Sequence, residues 1–146
     1  MANKRNIKIF SFFSGCGFID LGFEKNGFPG AEPSARFIDC ILFQNHRYMP
    51  AVMEVEHTTG VTSGLTRMKG LQDKMPSLNT RYVIVAPDDD RAKVIDEANR
   101  EQFHSLDTRY FSYSAVEELY YICSHHKLHG VTQDFLDCYM ERVKVA

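Results

Sequence analysis

The chain has 146 residues, enough for one domain with a core of its own, and 44% of them are hydrophobic and 25% charged, the balance of an ordinary globular protein. A net charge of −2 excludes a protein that coats nucleic acid by charge alone. It leaves room for a metal site, which needs carboxylates and lets the bound cation supply the local positive charge.

In chain order, residues 7–13 read as a short buried strand ending at Ser14-Gly15-Cys16-Gly17, and residues 18–26 as a short helix. The breakers from Gly27 to Pro33 set a boundary, so the expected organisation is a first segment over residues 1–30 and a second domain over residues 31–146. Residues 35–44 and 51–57 read as the two strands of a hairpin joined by residues 45–50. Leu65, Met68, Leu71 and Met75, spaced by three or four, predict a helix over residues 61–75. Residues 81–86 form an apolar strand bounded by Pro87, and the acidic run at Asp88, Asp89 and Asp90 opens a helix reaching to about Phe103. Residues 109–113 give another strand. Ser114, with Glu117 three places on, is the expected N-cap of a helix carrying Val116, Leu119, Tyr120 and Cys123. Residues 132–143 read as a last amphipathic helix. This order predicts an α/β (α+β) fold, a mixed β-sheet flanked by α-helices on both faces.

The start of the chain carries no cleavage-site pattern, and no stretch nears the roughly 18 apolar residues of a membrane span. Cys16, Cys40, Cys123 and Cys138 form no Cys-x-x-Cys pair. The expectation is a cytoplasmic protein without membrane contact or structural zinc.

Acidic residues stand inside the apolar hairpin strands: Asp39 on the first, Glu54 and Glu56 on the second. Strand alternation puts Glu54 and Glu56 on one face, and a turn near Arg47 sets Asp39 roughly opposite Glu54. Directly opposed residues have Cβ atoms about 4.5–5.5 Å apart, where like charges repel unless a cation lies between them. Mg²⁺, which prefers oxygen ligands, removes that conflict. The same alternation also fits acids on the solvent face of an edge strand.

The pattern resembles the PD-(D/E)xK nucleases, the superfamily of most type II restriction endonucleases, over roughly residues 35–125. Asp39 matches the first acid, Glu54 the second, and Glu56 stands in the Lys position; Ile38 stands where the Pro would be. The resemblance implies a restriction-endonuclease-like fold and Mg²⁺ bound by Asp39, Glu54 and the carbonyl of Val55. It further implies hydrolysis of double-stranded DNA, and commonly a homodimer. Glu56 would then orient or activate the attacking water. Thr59, Ser63, Arg67 and Lys69 follow as candidate phosphate contacts near a helix N-terminus.

Residues 12–28 resemble the first motif of C5-cytosine DNA methyltransferases, whose glycine-rich turn approaches S-adenosylmethionine. The resemblance would make Ser14, Gly15 and Gly17 cofactor contacts, although Phe18 stands where that family usually has a third glycine. The family's Pro-Cys and Glu-Asn-Val motifs do not follow. The segment therefore reads as a vestige beside a restriction gene, without methyltransferase activity or cofactor, or else residues 7–26 supply a strand and a helix to the nuclease sheet. The alternatives to an active nuclease are a silent fragment or DNA-binding accessory module of a restriction–modification fusion, and a fragment that binds S-adenosylmethionine. Smaller signals favour structural roles: His125, His126 and His129 as a solvated helix end, Asp88 to Asp90 as a capping feature, and His57 as a strand-end residue facing water. Of the aromatic residues Tyr110, Phe111, Tyr113, Tyr120 and Tyr121, most are expected in the core.

Overall fold

The structure, a computed structural model, describes residues 7–8, 37–44, 48–57, 60–128 and 131–143. Among the described residues, six strands form one mixed sheet in the order β1-β2-β3-β4-β5-β6. Strand β2 (Cys40–Gln44) runs antiparallel to both of its neighbours, β1 (Ile7–Lys8) and β3 (Tyr48–Val55). Then β4 (Arg81–Ala86) runs parallel to β3 and β5 (Arg109–Ser112) parallel to β4, while β6 (Glu141–Arg142) returns antiparallel to β5. Parallel neighbours need crossovers. Helix α1 (Val61–Lys74) makes the first, and α2 (Arg91–Ala98), between the 3₁₀ turns Asp88–Asp90 and Glu101–Leu106, makes the second. Helices α3 (Tyr113–His125) and α4 (Gln133–Asp137) follow β5.

Consecutive strand residues enter opposite cores, as the two-residue period of a strand requires. Val52, Ile84 and Tyr110 pack with Leu65, Met68 and Leu71 of α1 and Val94 of α2. Met53, Val83, Val85 and Phe111 pack with Leu119 of α3 and Leu136 of α4. Burial on both faces explains the apolar run that follows Arg81 in β4. Full burial of Leu65, Met68 and Leu71 contributes roughly 1.5–3 kcal/mol for each side chain. The mixed sheet flanked by helices is the expected fold class. Residues of the expected first segment share this sheet, because Ile7 pairs with Gln44 and Lys8 with Phe43.

Several boundaries differ from the sequence expectation. β3 begins three residues early, at Tyr48, and its register with β2 shifts between Leu42 and Gln44. The helix expected through Phe103 stops at Ala98, because Arg100 turns extended (φ −62°, ψ 140°) before the second 3₁₀ turn. Ser112, not Ser114, caps α3, accepting the Ala115 N–H at 3.2 Å. Ser114 instead donates its backbone N–H (3.1 Å) and its hydroxyl to the Asp88 carboxylate. The last helix ends at Asp137 and the chain turns into β6.

Candidate active site

The hairpin register pairs Cys40 with Met53, so one step further sets Asp39 opposite Glu54. Asp39 lies just before β2, and its Oδ2 accepts the Val55 N–H at 2.9 Å. A side chain there takes up the backbone donor that the ladder leaves at its end.

Val52 belongs to the core beneath α1, so alternation sends Glu54 and Glu56 toward the same helix. Both are buried, at 0% and 1% exposure, and β3 lies between β2 and β4. The alternative of acids on the solvent face of an edge strand is thereby overturned. Buried carboxylates are costly unless partnered, and Arg67 of α1 supplies the partner. Its Nε donates to both Glu54 oxygens at 3.1 Å. Its Nη2 donates to Glu54 Oε2 at 2.5 Å and Glu56 Oε1 at 3.3 Å, and its Nη1 to Ser63 Oγ at 2.8 Å. The planar fork of a guanidinium suits this two-acid grip.

Gly64 lets the helix come this close. A Cβ there would stand 3.0 Å from Glu54 Cβ and collide with the Glu56 carboxylate. Gly64 precedes Arg67 by three positions, so both lie on the helix face turned to the acids.

Burial pushes the Glu54 carboxyl up to about 8, with the Asp39 charge adding to the rise and the Arg67 hydrogen bonds opposing it. The hydrogen bond to Glu54 raises the Arg67 pKa, so the guanidinium stays charged.

Of the residues expected from sequence, the structure brings Asp39, Glu54, Glu56 and Val55 together. Arg67, expected at a phosphate, is turned inward onto Glu54 and Glu56, and Ser63 accepts from it. Lys69 pairs with Asp73 at 2.5 Å and donates to Gln72 at 3.1 Å. Thr59, Ser14, Gly15, Gly17 and His129 lie outside the described residues, as does the whole methyltransferase-like stretch 12–28. His125 and His126 are exposed and pack on one another, and His125 stacks on Tyr121. His57 is exposed and stacks on Tyr113 at 6.1 Å. Tyr110 and Phe111 are core residues, but Tyr120 and Tyr121 are not: they are 73% and 62% exposed. Among the described residues, no three His, Cys, Asp or Glu side chains group to hold a metal ion, and no helix is long and apolar enough to cross a membrane. Sequence reasoning missed Gly64, and missed Arg67 as partner of the acids. The available signal was a glycine inside a helix, where it costs about 1 kcal/mol against alanine unless packing demands it.

Comparison with known proteins places this chain among restriction-enzyme domains. The chain belongs to the family described as the type II restriction enzyme NmeDI C-terminal domain, which it matches over residues 24–143. It is 59% identical over 120 residues to the type II restriction enzyme NmeDI of Neisseria meningitidis serogroup C. That match covers 80% of this chain and 34% of the relative, so the chain spans about a third of the relative's length. Asp39, Glu54, Glu56, Gly64 and Arg67 all fall inside the matched region. No solved structure matches the chain.

Proposed function

We propose that the chain is a Mg²⁺-dependent nuclease domain of restriction type, which hydrolyses phosphodiester bonds of double-stranded DNA. The observation that carries this reading is the juxtaposition of Asp39 and Glu54 at the end of a buried hairpin. The restriction-enzyme relative supports it.

The donors suit the metal. Asp39, Glu54 and the Val55 carbonyl offer only oxygen, which Mg²⁺ prefers, and the carboxyl held up to about 8 is the one a divalent cation would relieve. Asp39, Glu54 and the Val55 carbonyl would hold the ion. When bound, it supplies charge stabilisation at the phosphate and a more acidic water.

The protein's own groups then position the reaction. Glu56, on the same face as Glu54, orients the attacking water and accepts its proton. The core beneath α1 holds the acids rigid. Ser63 stands in the first turn of α1, where a phosphate is favoured. Cutting both strands calls for two such sites, and a homodimer provides them.

The test is cleavage of mixed phage and plasmid DNA by the wild type and by the Asp39→Ala and Glu54→Ala variants, with folding checked by circular dichroism. Cleavage that needs Mg²⁺, stops with EDTA and is lost in both variants supports the reading. No cleavage by well-folded wild type on several DNAs sinks it.

A second reading, a catalytically silent DNA-binding module, draws on the Arg67 contacts, which already occupy Glu54 and Glu56. Salt-dependent duplex binding without cleavage would select it.

A further inference from the structure

The acid cluster already carries a cation of its own. Three N–H contacts run from the Arg67 guanidinium to Glu54 and one to Glu56, so both Glu54 oxygens are engaged. A divalent ion on those same oxygens would sit close beside the guanidinium, and two cations at that separation in a poorly solvated site repel strongly. Arg67 is also the member of the trio that reaches solvent: its side chain is 29% exposed, against 0% and 1% for the two acids. It has a second partner ready. Ser63, exposed and four residues earlier on the same helix, already accepts Nη1 at 2.8 Å. Rotation of the guanidinium toward Ser63 and water would release Glu54 without moving α1, which Leu65, Met68 and Leu71 fasten to the sheet.

We propose that Arg67 is a resident counter-ion of the acid cluster, and that a divalent metal ion binds only by displacing it from Glu54. The inference rests on the metal-dependent reading above and adds its regulation. In the metal-free protein Arg67 holds Glu54 and Glu56; in the loaded protein it has left Glu54. Arg67 is a positioning residue in this scheme, acting through the carboxylate it releases.

The experiment titrates Mg²⁺, without DNA, into the wild type and the Arg67→Met variant by calorimetry. In parallel, the Arg67 Nε–H resonance of the wild type is followed by NMR. The expected result is binding roughly tenfold or more tighter in Arg67→Met than in the wild type, with the wild-type resonance moving or broadening as Mg²⁺ is added. Equal or weaker binding in Arg67→Met overturns the proposal and leaves the metal-dependent reading standing. Failure of both proteins to bind Mg²⁺ overturns both. Binding by the variant alone supports the proposal in its strongest form. If Arg67→Met does not fold, the wild-type resonance decides: a change at Mg²⁺ levels that saturate binding supports displacement, and an unchanged one overturns it.

Discussion

The Asp39 carboxylate accepts the backbone N–H of Val55 at 2.9 Å, and so closes the hairpin ladder beside Glu54. Asp39 Oδ2 is therefore structural, and the proposed metal site asks the same carboxylate for its charge. The substitutions Asp39→Asn and Asp39→Ala separate the two roles. Asn keeps an acceptor and should hold stability near wild type, whereas Ala loses the hydrogen bond and should cost about 1 kcal/mol in urea denaturation. Both should abolish Mg²⁺-dependent cleavage, because both lose the charge. An Asn variant that cleaves normally would remove Asp39 from the metal site.

Gly64→Ala should destabilise the protein even though alanine is the better helix former. The added methyl meets Glu54 Cβ at 3.0 Å and the Glu56 carboxylate. Overpacking of this kind costs roughly 1–3 kcal/mol, more than the gain of about 1 kcal/mol in helix propensity. Thermal unfolding of the variant measures the balance, and a raised Tm would contradict the close approach of α1 to β3.

Stability should fall as pH rises through the window set by Glu54. Its carboxyl ionises near 4.5 when unfolded and near 8 when folded, raised chiefly by burial. Between those values the folded state holds the extra proton, so each step up in pH favours the unfolded chain; the contribution is fully present below 4.5 and lost above about 8. Urea midpoints measured across that range should decline, and Glu54→Gln should flatten the decline. An unchanged slope in Glu54→Gln would assign the titration to another group.

Asp137 ties the far end of the sheet together. It accepts Arg81 Nε and Nη2 at 2.7 Å each, and Arg109 Nη1 as well, so one acid serves two arginines at the starts of β4 and β5. Asp137→Ala leaves two half-buried guanidinium groups without their shared counter-charge and should cost about 2–4 kcal/mol in denaturant unfolding. A loss below about 0.5 kcal/mol would mean that water replaces the carboxylate there.

Local signals carried much of the fold. The strand over residues 81–86 was legible at both ends because its apolar run stops at Pro87, which cannot extend a ladder. The opposition of Asp39 and Glu54 followed from the two-residue period once the hairpin turn was placed, although β3 starts earlier than its composition suggests. The embrace of Glu54 and Glu56 by Arg67 was not legible. It depends on how α1 packs across β3, a tertiary fact that helical spacing alone does not encode. Ser114 has the spacing of a cap, but its hydroxyl goes to Asp88, and the turn of chain after β5 hands the role to Ser112.

The pairing of β1 with β2 has a consequence for how copies of the chain meet. At the β6 edge, Glu141 and Arg142 are charged and exposed, which discourages strand addition. The β2 strand, Cys40–Gln44, carries no charge, and Ile7 and Lys8 occupy its outer edge. Trimming the first eight residues would bare that row of backbone donors and acceptors. An uncharged, β-prone edge of that kind recruits a like strand from another molecule. Two residues near the start of the chain thus guard it against sticky, sheet-by-sheet aggregation.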